Sequence, residues 1–154
     1  MKPPEFLQVA RDLLQKSECS AAVARTAISR AYYAVYLSCR DFLAQEIGAK
    51  VRTGMVSDHD WLQRMLLNCR VEEAVVVGRL LSNLHERRKV ADYDMVTTTV
   101  DSKPAAQFIV EQAQIALDEQ AIQAIAEVYE KEFSRIEHQK EQQRTALQKC
   151  LGLL

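Results

Sequence analysis

Apolar residues recur at helical spacing along nearly the whole chain. Pro3 and Pro4 suit a first helical turn, where their missing N–H groups have no partner to lose, and Phe6, Val9, Leu13 and Leu14 then predict a helix ending near Ser17. From Ala21 to Ile47 the sequence is rich in Ala, Leu, Val and Tyr without Pro or Gly, so one long helix is expected, stopped by Gly48. Ala49 to Val56 reads as a loop. Ser57 or Asp58 is expected to cap a shorter helix carrying Trp61, Leu62, Met65 and Leu66 and ending near Cys69. A fourth helix should begin close to Glu72 and run through Val76, Leu80, Leu81 and Leu84 towards Asp92.

The β-branched run from Met95 to Val100 breaks this pattern and predicts an exposed loop, after which Asp101 to Pro104 restart a helix with capping chemistry. No breaker follows until Gly152, so one very long helix, or two in line, is expected from about Ala105 to Lys149. Ile115, Ile122, Ile125, Tyr129 and Ile136 are spaced close to a heptad seam, which Gln139 to Gln143 interrupts. Such a helix either completes a bundle or projects as an arm for self-association or a partner. The pattern predicts an all-α protein, an up-and-down bundle of four to five helices over residues 1–118 with a long helical extension over 119–154.

Composition narrows the class. The chain has 154 residues, 48% of them hydrophobic and 27% charged, which suits one globular core and argues against disorder. Four Gly and three Pro leave little material for the many turns of a β protein. The formal net charge of −1 removes the overall basicity of a non-specific nucleic-acid binder, so any such site must be local. Cys19, Cys39, Cys69 and Cys150 have no metal-ligand spacing and are expected to be reduced thiols. No signal core or membrane-length apolar run occurs, and a cytoplasmic location is expected. No cofactor or metal is expected, because the phosphate-loop, dinucleotide, zinc-protease and di-iron signatures are all missing.

Two segments carry local chemistry. Tyr32, Tyr33 and Tyr36 share one side of a predicted helix, with Ala24, Ala27, Ala31 and Ala34 leaving room for a neighbour, so they form a structural polar cluster whose hydroxyls need partners. His85, Arg87, Arg88 and Lys89 crowd four basic groups into little more than one turn, the best local anion site in the chain. Arg88 and Asp92 stand four apart, the spacing of an intrahelical salt bridge. Packing accounts for the tyrosines and dipole complementation for the basic turn if neither has a further role.

These segments also carry a resemblance. Thr26-Ala-Ile-Ser-Arg-Ala-Tyr-Tyr-Ala-Val-Tyr36 is similar to the early A-x-S-R-x-Y-Y-A helix of the HEPN family, and Leu84-His-Glu-Arg-Arg-Lys-Val-Ala-Asp-Tyr-Asp94 resembles the R-x-x-A-D-Y signature of one branch. His59 also fits the family's layout. The resemblance covers roughly Lys2 to Asp118. It implies a dimeric helical bundle associated with RNA or a nucleotide, within toxin–antitoxin, defence or stress systems, where many members are metal-independent ribonucleases using R-x(4–6)-H.

At the corresponding positions this chain has Asp92, Tyr93, Asp94 and Met95 in place of that histidine. The candidate catalytic residues are therefore Arg88, Asp92 and Tyr93. Arg87, Arg88, Lys89, His85 and Arg30 are the candidate phosphate contacts, with Arg30, Tyr32 and Tyr33 facing the Arg88 region across the core. His59 is expected to cap or pack, and His85 to be solvated. Three readings follow: an RNA- or nucleotide-associated module with a homodimeric form and a possible cognate partner protein, an active ribonuclease, or an adaptor acting through its C-terminal helix.

Overall fold

The computed structural model describes residues 2–15, 18–46, 57–68, 72–118, 135, 138–146 and 148. Five helices are defined among them: α1 (Pro3–Gln15), α2 (Ala21–Glu46), α3 (Ser57–Asn68), α4 (Glu72–Tyr93) and α5 (Lys103–Ala116). Residues 138–146 are helical as well, and no strand occurs among the described residues. None of these helices is long and apolar enough to cross a membrane.

Helix α2 is the central element, packing against α1, α4 and α5, while α3 rests mainly on α4. Its sequence explains both roles. Ser20 opens it by accepting a hydrogen bond from the Val23 backbone at 3.3 Å, and uninterrupted helix formers carry it to Glu46. Ala24, Ala27, Ala31 and Ala34 are fully buried and let neighbouring backbones approach closely, while Ile28, Val35 and Leu43 fill the volume between helices. Leu81 and Leu84 from α4, Leu62 and Leu66 from α3 and Ile109 from α5 complete one continuous core. Each such side chain stabilises the fold by about 1.5–3 kcal/mol relative to exposure.

Gly78 sets the crossing of α3 and α4. A Cβ at this position would stand 3.0 Å from Leu66 Cβ and 3.2 Å from the Leu67 backbone nitrogen, so any side chain would push α3 back by a few tenths of an ångström.

Two expectations from the sequence need correction. Of the one very long helix or two in line expected from about Ala105, the single unbroken form is excluded, since α5 stops at Ala116: the Leu117 N–H turns back to the carbonyls of Ala113 and Gln114, and Asp118 bonds to Ile115, a tightened last turn that leaves the α-helical path. Ile115 is 55% exposed, and the remaining seam residues Ile122, Ile125, Tyr129 and Ile136 lie outside the described residues, as do the 49–56 loop, Cys69 and Cys150. The 95–100 loop is not uniformly exposed. Met95 and Val96 face solvent, whereas Val100 is buried. Restarting at α5 follows the expected capping, with Ser102 Oγ accepting from Ala105 N at 3.3 Å and Pro104 in the first turn.

The reason that loop holds its shape is Arg25 on α2. Its guanidinium donates to the carbonyls of Val90, Ala91 and Asp94 at the end of α4 and of Thr97 in the loop, and it pairs with Asp101 at 2.5 Å. One side chain thus satisfies carbonyls left open by the helix terminus and fixes the following turn. Asp94 adds an Asx-type turn, accepting from the backbone of Val96 and Thr97 and from the Thr97 hydroxyl. The Thr97 hydroxyl first, then these backbone donors, hold its carboxyl below the usual range.

Candidate phosphate-binding site

Three polar stripes meet between α2, α3 and α4. Ser29, Tyr32, Tyr33 and Tyr36 follow the helical period along one side of α2; His59 and Gln63 stand one turn apart on α3; His85, Arg88 and Asp92 lie on the α2-facing side of α4. Tertiary packing makes one cluster of them.

Tyr32 is its buried centre, with no exposed surface. Its ring stacks on Tyr36 at 5.8 Å and on His85 at 5.3 Å, and its hydroxyl lies 2.6 Å from His59 Nδ1. The two imidazoles stand 5.3 Å apart between centroids, and Tyr36 approaches His59 to 4.2 Å. Gln63 Nε2 meets His85 Nδ1 at 2.8 Å. Among the described residues neither histidine has a hydrogen bond at Nε2, and neither Nε2 is a sealed, unpartnered atom.

Arg88 forms the other half. Nη2 donates to the hydroxyls of Tyr33 at 3.0 Å and Tyr93 at 3.2 Å, and the guanidinium lies over both rings, 5.4 and 5.1 Å from their centroids. Arg88 Nε stands 2.7 Å from Asp92 Oδ2, close enough for an ion pair but not aligned as a hydrogen bond, and Ser29 Oγ donates to the same oxygen at 3.3 Å. The Arg88–Asp92 pair is therefore not the exposed surface bridge its spacing suggests: its side chains are 14% and 25% exposed and tied to α2.

Electrostatics follow from this packing. Burial, then the neighbouring His85 and Arg88, lower the His59 pKa, against the opposing pull of Asp58 and Asp60. Burial and Lys89 lower that of His85, opposed by Glu86 and Asp60. Both imidazoles are neutral near pH 7. Burial pushes the Tyr32 hydroxyl far up, with Tyr36 and Tyr33 adding to it, so it keeps its proton. For Arg88 burial works downwards, but Tyr33, Asp92 and Tyr93 outweigh it and raise the guanidinium's pKa, so it stays charged.

The candidate residues from the sequence therefore separate into groups. Arg88, Asp92, Tyr93, His85, Tyr32, Tyr33 and Tyr36 come together. Lys89 stands one turn beyond His85, where its charge acts on that imidazole, and pairs with Glu86 at 2.7 Å, whereas Arg87 lines an open cleft of about 530 Å³ on the outer face of α4, beside Arg79, Asn83 and Val90. Adjacent residues on a helix are separated by about 100°, so Arg87 does not share the face of Arg88. The Arg30 guanidinium lies 5.8 Å from the Phe6 ring centroid. His85 is stacked against Tyr32 instead of solvated, and His59 is a full member of the cluster. Ser29, Gln63 and Arg25 escaped sequence reasoning, although the spacing of Ser29 with Tyr32, Tyr33 and Tyr36 was a usable signal.

Asp92 is occupied by Arg88 and Ser29, so it anchors the guanidinium. No cluster of three or more metal-ligating side chains occurs among the described residues. Chemically, the assembly offers a fixed cation, two imidazole edges and two tyrosine hydroxyls. Comparison of the chain with known protein families, curated proteins and solved structures returns no match.

Proposed function

We propose that this protein is a HEPN-type helical module that associates with RNA or a nucleotide by holding a phosphate group at Arg88, His85 and His59. The supporting observation is the convergence of one pinned guanidinium with two imidazoles whose Nε2 atoms have no described partner. Arginine is suited to phosphate oxygens, and neutral imidazoles add donors without the desolvation cost of further buried charge. A homodimer and a cognate protein partner within a toxin–antitoxin, defence or stress-response system belong to the same reading, as the sequence resemblance implies.

A second reading, a metal-independent ribonuclease, is favoured by one observation: the two imidazoles stand 5.3 Å apart and within electrostatic reach of Arg88, so the missing R-x(4–6)-H histidine has substitutes in space. One experiment separates the two. Purified protein is incubated with single-stranded RNA in chelator-containing buffer, scoring binding and cleavage beside Arg88→Ala, Arg88→Lys and His59→Asn/His85→Asn. The binding reading expects intact RNA and an affinity lowered about tenfold or more by Arg88→Ala, in line with the loss of charge-assisted hydrogen bonds. Cleavage abolished by the double histidine variant establishes the ribonuclease. Wild-type protein that binds neither RNA nor a mononucleotide overturns both.

A further inference from the structure

The cluster fixes which nitrogen of each histidine carries its proton. Tyr32 is wholly buried and keeps its hydroxyl proton, and His59 Nδ1 at 2.6 Å is the hydroxyl's described partner. If Nδ1 were protonated, the Tyr32 O–H would face that N–H and be left without a described acceptor inside the core. The hydroxyl therefore donates, Nδ1 accepts, and the neutral ring carries its hydrogen on Nε2. The same logic applies to His85. Gln63 approaches Nδ1 with its amide nitrogen, which can only donate, so the His85 proton also resides on Nε2.

We infer that Tyr32 and Gln63 are positioning residues that lock His59 and His85 as neutral Nε2–H donors, making the site an oxyanion receptor and not an acid–base pair. This inference rests on the phosphate-binding reading and sharpens it. A general base needs a bare lone pair on the edge that faces the substrate, and here each free edge carries a hydrogen. Two imidazole N–H groups beside the Arg88 cation present donors alone, which match the acceptor-only oxygens of a phosphate. Because neutral rings do the work, the two histidines add no pH dependence to binding over the range in which both stay unprotonated. The charged and titratable groups facing them are Asp58 and Asp60 on α3, Glu86, Arg88 and Lys89 on α4, and Tyr32 and Tyr36 on α2, besides each other.

The inference also specifies how the lock is broken. Tyr32→Phe removes the donor to His59 and frees its tautomer, leaving His85 unchanged. Gln63→Glu replaces a donor with an acceptor, drawing the His85 proton to Nδ1 and baring Nε2. Gln63 is only half-buried, so this variant does not depend on repacking the core.

The test is nitrogen-15 NMR of the full chain with labelled histidine at pH 7.5, the resonances assigned with His59→Asn and His85→Asn, followed by titration with inorganic phosphate. The expected result is an Nε2–H tautomer for both residues, loss of the fixed tautomer confined to His59 in Tyr32→Phe, a switch confined to His85 in Gln63→Glu, and phosphate-dependent shifts at both Nε2 positions. Phosphate affinity should fall about fivefold or more in Gln63→Glu. An Nδ1–H tautomer at either residue in the wild type overturns the inference, and does so without reference to any ligand, leaving phosphate binding to the Arg88 comparison. Correct tautomers with no response to phosphate overturn the receptor and count against the binding reading as well. If Tyr32→Phe does not fold, the wild-type tautomers and Gln63→Glu still decide.

Discussion

Replacing Arg25 by alanine should be among the most damaging single changes outside the apolar core. The side chain is 11% exposed, and its guanidinium serves the Val90, Ala91, Asp94 and Thr97 carbonyls as well as the 26%-exposed Asp101 carboxylate. Removing one partner of a largely buried pair costs about 3–5 kcal/mol, because the other charge is left without compensation. Partial solvent access to Asp101 moves this towards the lower figure, and Val90 O keeps its bond from Asp94 N at 3.1 Å, so about 3 kcal/mol is expected. In a chain of this length that lowers the melting temperature by roughly 6–12 °C. Urea denaturation followed by circular dichroism measures it, with Arg25→Lys as the comparison, since lysine keeps the charge and loses the planar fork. Lysine should recover less than half of the loss. A loss below about 1 kcal/mol for alanine, or full recovery by lysine, would refute the idea that one guanidinium holds the end of α4 and its loop.

Further expectations concern packing, acid and thiol chemistry. Gly78→Ala gains up to about 1 kcal/mol of helix propensity but forces a Cβ against the Leu66 and Leu67 backbone, so a net loss of about 1–2 kcal/mol is expected in the same urea assay. His59 and His85 have folded pKa values below their unfolded ones, so the unfolded chain takes up protons first; stability should be full above about pH 7 and decline as pH falls through the unfolded value near 6.5. The decline should flatten in His59→Asn/His85→Asn, and an equal slope in that variant would show that other groups cause it. Burial pushes the Cys39 thiol up to about 12, whereas Cys19 is half-buried. Iodoacetamide on the folded protein, read by peptide mass spectrometry, should therefore label Cys19 well before Cys39, and comparable labelling would contradict the packing of α2.

Much of the helical scaffold was legible in sequence because its signals are local. The 3.6-residue recurrence of apolar positions, the Pro pair at the start of α1, the Ser102–Pro104 restart and the uninterrupted helix formers of α2 each act within a turn or two of the chain. The alanines of α2 announced close packing for the same reason. The break after α5 was not legible, because no glycine or proline marks it and Leu117 ends the helix through its own backbone bonds.

The site is different in kind. Sequence alone placed Arg88, Asp92 and Tyr93 together, since they share less than two helical turns, and it grouped Tyr32, Tyr33 and Tyr36 along one side. It also bundled Arg87 with them because adjacency in the chain was counted as proximity, whereas the angular step of a helix sends Arg87 to the outer cleft. Only the packing of α3 and α4 against α2 brings His59 beside His85, sets Tyr32 against both imidazoles, and lets Gln63 and the Tyr32 hydroxyl choose the proton positions. Those contacts join residues 22 to 55 positions apart on separate helices, and their distances follow from interhelical geometry that no local pattern encodes.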